Sequence, residues 1–130
     1  MIIADTQVVI WATLDHSRLS KKAVDALKRA RSSGAGMGVA SSTLWELAMA
    51  VSKGRIRPNA TLGSYLGFIE KNFVVHPITA QIAERSVQFT DRYPKDPMDR
   101  IIGATALVLG FSLVTADLSI RRSGEVPCIW

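Results

Sequence analysis

Four acidic residues stand where a folded chain could bring their carboxylates together. They are Asp5, Glu46, Asp99 and Asp117. Each follows an apolar run or lies in the first turn of a predicted helix. Carboxylates held close together repel one another and need a cation, and hard oxygen ligands select Mg²⁺ or Mn²⁺ over zinc or copper. A divalent ion can lower the pKa of a bound water and stabilise charge growing on a phosphoryl oxygen. The four acids therefore indicate a metal-binding pocket suited to phosphodiester hydrolysis.

The elements around these acids predict a parallel sheet with helices on both faces. Four or five short apolar runs alternate with helical patterns, which is typical of βαβ units. The runs interpreted as strands are residues 1–4, 37–40, 73–78, 113–115 and 126–129. Right-handed crossovers send the C-terminal ends of parallel strands to one edge, where ligands usually bind. We therefore expect the four acids to converge at that edge of a single domain spanning residues 1–130.

Each acid also has a purely structural interpretation. Asp5 could be a turn or capping residue. The run Thr43-Leu44-Trp45-Glu46 fits a T-x-x-E capping box, so capping and metal binding stay equally open for Glu46. Before the apolar stretch that follows Lys95, Asp96 fits the N-cap of a helix, with proline next and Asp99 at the third helical position. Asp96 already supplies the cap, so capping explains Asp99 less well.

The composition is that of a globular chain with a basic excess. The 130 residues are 48% hydrophobic and 21% charged, enough for one buried core. The net charge of +5 suits a polyanionic partner without establishing one. If that partner carries phosphates, the predicted contacts are Arg55, Arg57 and Arg100.

Several kinds of site are excluded by what the chain lacks. Its single cysteine, Cys128, cannot form an internal disulfide or a cysteine-based zinc site. Neither His16 nor His76 has a second histidine at metal-ligand spacing. No basic segment precedes the first apolar run, so no signal peptide is predicted. The uncharged stretch 101–116 is shorter than the ~20 residues of a membrane span. These features predict a cytoplasmic protein without a membrane partner.

Four passages of the chain share one family likeness. In chain order they are Ile3-Ala4-Asp5-Thr6 with Trp11 downstream, Arg18-Leu19-Ser20, Ser41 to Ala48 continuing to Lys53-Gly54-Arg55, and Asp96-Pro97-x-Asp99-Arg100-Ile101-Ile102 continuing to Leu113-Val114-Thr115-Ala116-Asp117. Together they resemble the PIN domain family, specifically toxins of the VapC type from bacterial toxin–antitoxin pairs. The resemblance spans nearly the whole chain, although residues 56–88 follow it only by pattern.

The resemblance implies a Mg²⁺- or Mn²⁺-dependent endoribonuclease. Its fold would be an α/β/α sandwich of three layers with a central, mainly parallel sheet of four to five strands. The acidic positions of the family correspond to Asp5, Glu46, Asp99 and Asp117. Thr6 and Thr115 match small polar positions that support the metal site, and Asp96 matches a frequent accompanying acid. The expected partners are an RNA substrate, a second copy in a homodimer, and an antitoxin encoded by the adjacent gene.

Other interpretations are weighed against this one. Phosphatases with an aspartyl nucleophile usually carry a second acid two residues later, where this chain has Gln7. A receiver-like phosphate acceptor needs a late lysine, and no lysine follows Lys95. A free-standing nuclease, or a catalytically silent PIN-like domain that binds RNA or protein, stays open as the alternative.

Overall fold

Five short strands form one parallel sheet at the centre of the molecule. The structure, a computed structural model, describes all 130 residues. Its strands are β1 (Ile2–Ala4), β2 (Met37–Ala40), β3 (Val74–His76), β4 (Ser112–Val114) and β5 (Cys128–Ile129). They lie in the order β3-β2-β1-β4-β5, and every neighbouring pair is parallel. This confirms the predicted α/β class and places β1 in the middle of the sheet.

Helices cover both faces of the sheet. They are α1 (Thr6–Leu14), α2 (Lys21–Ser32), α3 (Ser41–Ser52), α4 (Leu62–Asn72), α5 (Ala80–Ser86), α6 (Pro97–Leu109) and α7 (Leu118–Ser123). A single 3-10 turn, His16–Arg18, joins α1 to α2. None of the helices combines the length and the apolar character needed to cross a bilayer.

Alternating side chains of the strands divide the interior into two cores. In β1, Ile3 points into the core beneath α5, α6 and α7, whereas Ala4 points into the core beneath α1, α2 and α4. In β4, Leu113 and Val114 divide in the same way. This period of two is what a strand buried on both faces requires.

The helix that carries Asp99 begins as the sequence predicts. The Asp96 carboxylate accepts hydrogen bonds from the backbone N–H groups of Met98 at 2.8 Å and Asp99 at 3.3 Å. Pro97 is the first helical residue, and the helix ends at Gly110, whose φ of +72° suits glycine. The capping role of Asp96 is confirmed.

Three local features of the structure differ from the sequence patterns: an open alternative that does not form, a helix that ends early and a helix that was not predicted. Helix α3 begins at Ser41, directly after β2 and without a side-chain cap, so the capping box of Thr43 and Glu46 does not form. A capping residue at Thr79 and apolar positions at Ile82 and Ala83 predict a helix to about Thr90, but α5 ends at Ser86, because the next residues form a loop that packs onto α6 through Phe89. Helix α7 was not predicted, since its six residues are too short to show a helical period.

Candidate active site

The four predicted acids line one pocket at the C-terminal edge of the sheet. Asp5 follows β1 directly, Asp117 lies three residues beyond β4, Glu46 projects from α3, and Asp99 lies in the first turn of α6. The pocket has a volume of about 780 Å³, and all four carboxylates contribute to its wall. The structure therefore brings together the residues that the sequence singled out. Asp96 does not line the pocket, in keeping with its role as a helix cap.

Hydrogen bonds hold Asp5 in place. Its side chain is only 8% exposed, and the hydroxyl of Thr115 donates to Asp5 Oδ2 at 2.7 Å. The backbone N–H of Asp117 donates in turn to the Thr115 hydroxyl at 3.1 Å. The Asp117 carboxylate accepts from the backbone N–H of Ile120 at 3.0 Å and caps α7. The ends of two neighbouring strands are thus tied together through Asp5.

A second set of hydrogen bonds orients Glu46. The Thr6 hydroxyl donates to Glu46 Oε1 at 2.7 Å and lies 2.9 Å from the Thr43 hydroxyl. Because Thr6 has one hydroxyl proton and gives it to Glu46, Thr43 must be the donor in the second bond. In the sequence, Thr43 is identified only as the first residue of a possible capping box at the start of a helix. Its place one helical turn before Glu46, on the same face of α3, was the available signal.

The carboxylates of the pocket repel one another. Burial raises the pKa of Asp99 to about 7, and neighbouring negative charges contribute to this rise. In order of effect, the charges are those of Asp5, Asp96, Asp117 and Glu46. Burial also raises the pKa of Asp5 and of Glu46, against the opposing effect of the hydroxyl hydrogen bond that each receives. No basic residue contributes to any of these shifts, so the pocket holds an excess of negative charge that a cation would offset.

The donor set fits a hard divalent cation that keeps much of its water. In this conformation no three acidic, histidine or cysteine side chains are arranged to hold one ion between them. Mg²⁺ is commonly bound by one or two carboxylates, with water completing its octahedron. The metal-ligating groups of the wall are carboxylates, which suit that mode of binding, and the lack of cysteine and histidine side chains among the lining residues disfavours zinc.

The predicted phosphate contacts divide into two groups. Arg55 and Arg57 line the pocket together with Arg18, which sequence reasoning did not propose as a contact. Arg100 does not line it. Its guanidinium donates to backbone carbonyls of the loop before α6, those of Phe89, Thr90, Tyr93 and Pro94, at 2.9 to 3.4 Å. These contacts give Arg100 a structural role in holding that loop.

Comparison with known proteins identifies the family. The sequence profile of the PIN domain matches residues 2–126. The chain belongs to the PIN domain family. This PIN domain is 31% identical to the ribonuclease VapC22 of Mycobacterium tuberculosis, over 99% of the chain and 98% of that protein.

Solved structures share the fold of this PIN domain. A chain of VapBC2 from Rickettsia felis, solved bound to a DNA fragment from its promoter, gives a TM-score of 0.74 at 17% identity, over 98% of this chain and 97% of that chain. A toxin–antitoxin complex from Klebsiella pneumoniae gives a TM-score of 0.64 at 23% identity, over 92% and 89% of the two chains. The predicted PIN-like sandwich is therefore confirmed.

Proposed function

We propose that this PIN domain is a Mg²⁺- or Mn²⁺-dependent endoribonuclease and the toxin of a VapBC-type pair. The observation that carries the proposal is the convergence of four carboxylates from four different elements in one pocket. Two further findings support it: the curated relative is a ribonuclease, and similar folds occur in toxin–antitoxin complexes.

The residues of the pocket would have three roles: metal binding, orientation of the carboxylates and binding of the phosphate. Asp5, Glu46, Asp99 and Asp117 would hold the ion directly or through water. When bound, the ion would activate a water and stabilise charge on the scissile phosphate. Thr115 and Thr6 keep the Asp5 and Glu46 carboxylates in fixed orientations. Helices α1, α3, α6 and α7 all begin at this edge, and the N–H groups of helix N-termini favour a phosphate there.

Removal of one carboxylate tests the proposal. We expect Asp5→Asn or Asp99→Asn to abolish RNA cleavage while the fold persists, because each substitution keeps the shape of the side chain and removes its charge. RNA cleavage at matched Mg²⁺ and circular dichroism are the two measurements. Asp25→Asn, on the exposed side of α2, makes the same chemical change outside the pocket and should cleave normally. Cleavage by either pocket variant at the wild-type rate would refute the assignment.

The partners follow from the same proposal. An antitoxin encoded by the adjacent gene would cover the pocket, and a second copy would form a homodimer. Exposed apolar side chains such as Trp45 and Val87, 58% and 78% accessible, are available for contacts of this kind. The molar mass in light scattering tests the homodimer directly.

A further inference from the structure

The wall of the pocket beside the acids is apolar and aromatic. Ile10, Trp11 and Leu14 line it from one face of α1, and Arg18 lies at its rim. A pocket that received only an ion and a phosphate would have no use for this surface. Ligand sites of about 300–1,000 Å³ commonly combine such an apolar wall with a few polar groups, and this pocket falls in that range.

The guanidinium of Arg18 lies over Trp11, which packs in turn against Trp130. The guanidinium carbon lies 5.4 Å from the ring centroid of Trp11, within the range of a cation–π contact. The ring of Trp130 lies 5.8 Å from that of Trp11 and is tilted by 43°, so it supports Trp11 from the C-terminus of the chain. Arg18 ends the 3-10 turn, and the next residue, Leu19, is buried. The backbone is therefore anchored beneath an exposed guanidinium.

The chemistry of this group suits a nucleobase. A guanidinium plane stacks on the face of an unpaired base, as aromatic rings do in the recognition of single-stranded RNA. The tryptophan contact preorients the arginine, which lowers the entropy lost when a base stacks on it. A lysine at this position would retain the charge but would offer no plane.

We propose that the Arg18–Trp11 wall is a nucleobase subsite, in which an unpaired base next to the scissile phosphate stacks on the guanidinium of Arg18. Trp11 is then a positioning residue that acts through Arg18. The inference rests on the proposed function, because the acids of the same pocket would act on the adjoining phosphate. It predicts a preference for single-stranded RNA, since the bases of a duplex are already stacked.

The subsite is tested by a thermodynamic cycle that combines removal of one RNA base with replacement of Arg18 and compares the effects on binding. The probe is a set of short unstructured RNA oligonucleotides, each carrying one abasic nucleotide at a different position. Binding is measured by fluorescence anisotropy in the Asp99→Asn background, in which we expect no cleavage, and cleavage is measured with the wild type. We expect one position next to the cleaved bond at which loss of the base weakens binding by about 5- to 100-fold.

Variants distinguish stacking from simple charge. In Arg18→Ala and Arg18→Lys the same abasic nucleotide should have little further effect, because the stacking plane is already missing. Trp11→Leu should reproduce this loss, and if that variant does not fold the two Arg18 variants decide the matter. Arg55→Ala serves as the control within the pocket. It should weaken intact and abasic RNA by the same factor, as expected for a phosphate contact.

The outcomes separate the subsite from the nuclease activity. Coupling between Arg18 and one base, with or without cleavage by the wild type, supports the subsite. RNA that is bound but left intact would overturn only the nuclease proposal. The subsite proposal is overturned, and the nuclease proposal stands, if Arg18→Ala weakens the binding of intact and abasic RNA by the same factor. The same holds if loss of the base weakens binding to Arg18→Lys as much as binding to the protein with Arg18. If no RNA is bound, both proposals fall.

Discussion

At the scale of single residues, threonine hydroxyls determine how the carboxylates are presented. The Thr115 hydroxyl donates to Asp5 and the Thr6 hydroxyl donates to Glu46. The Thr6 hydroxyl is itself hydrogen-bonded to that of Thr43. Thr43 and Thr115 are fully buried, so their hydroxyls have no competing water. A threonine at these positions fixes a carboxylate without adding a positive charge, and this leaves the negative potential of the pocket intact for a cation.

The raised pKa of Asp99 predicts that the metal-free protein loses stability as pH rises. Asp99 has a folded-state pKa of about 7, against 3.8 for a free aspartate. Between these values the folded state keeps a proton that the unfolded state has released, so stability falls as the pH rises through this window. Asp99 is only partly buried and solvent screens its charge, so we expect a loss of about 1–2 kcal/mol between pH 4 and pH 8.

Chemical denaturation in the presence of a chelator measures this effect. The wild type and Asp99→Asn are compared at a series of pH values, because only their difference isolates Asp99 from the other titrating groups. The free energy of unfolding of the variant, relative to that of the wild type, should increase as pH rises from 4 to 8. Two profiles that stay parallel over this range would show that the carboxyl group of Asp99 is not destabilised by its surroundings.

At the scale of elements, the beginning of α6 separates an acid that caps the helix from an acid that lines the pocket. Asp96 accepts two backbone N–H groups of the first turn, whereas Asp99 faces the pocket three residues later. We expect Asp96→Ala to lower the free energy of unfolding by about 1 kcal/mol and Asp96→Ser to restore most of it, since serine also caps helices. Denaturant titration and RNA cleavage are measured together. An inactive Asp96→Ser protein of full stability would place Asp96 among the functional acids.

The packing of α6 against the loop before it depends on Gly103. A Cβ atom at this position would lie 2.8 Å from Tyr93 Cζ and 3.0 Å from Phe89 Cζ, closer than carbon atoms pack. The Tyr93 hydroxyl donates to the backbone carbonyl of Asp99 at 2.8 Å, so a displaced Tyr93 would disturb the turn that carries this acid. We expect Gly103→Ala to lower the free energy of unfolding by about 1–3 kcal/mol.

Gly67 provides the matched control for this prediction. It lies inside α4, and a Cβ atom added there would meet nothing within 4 Å. Both substitutions bring the same gain in helix propensity, so Gly67→Ala should be stabilising by up to ~1 kcal/mol. Equal shifts of the two unfolding midpoints would contradict the packing explanation.

The elements also show what sequence patterns could and could not predict. Apolar runs predicted all five strands to within a few residues, and the Asp-Pro pair predicted the first residue of α6 correctly. The orientation of Glu46 could not be predicted, because a T-x-x-E run has the same spacing whether it caps a helix or faces a pocket. The role of Arg100 depends on carbonyls of a loop whose path no periodicity reveals. Glu46 is oriented by Thr6, which lies 40 residues earlier in the chain, and Arg100 is held by carbonyls 6 to 11 residues before it in an irregular loop.

At the scale of the whole molecule, the charges are unevenly distributed. The chain carries a net charge of +5, yet the pocket at the C-terminal edge of the sheet gathers the carboxylates of Asp5, Glu46, Asp99 and Asp117, with Asp15 also on its wall. The basic residues Arg18, Arg55 and Arg57 lie on the same pocket. A polyanion would be attracted to the molecule as a whole, while the site itself attracts cations. This contrast suits an RNA substrate, whose phosphates need the basic wall, and an inhibitor that presents a cationic group to the acids.

The proposed antitoxin should therefore inhibit through one basic side chain. A guanidinium pairs bidentately with carboxylates, so an arginine inserted among the four acids would displace the ion or its waters. An apolar helix of the antitoxin would bury surface nearby and supply most of the affinity. We expect co-expression with the neighbouring gene to yield a complex that does not cleave RNA. Replacement of the inserted arginine by alanine should restore cleavage while the complex still co-purifies, because the apolar contacts persist. If this chain is recovered alone, active and harmless to its host, the nuclease proposal stands and the toxin proposal is refuted.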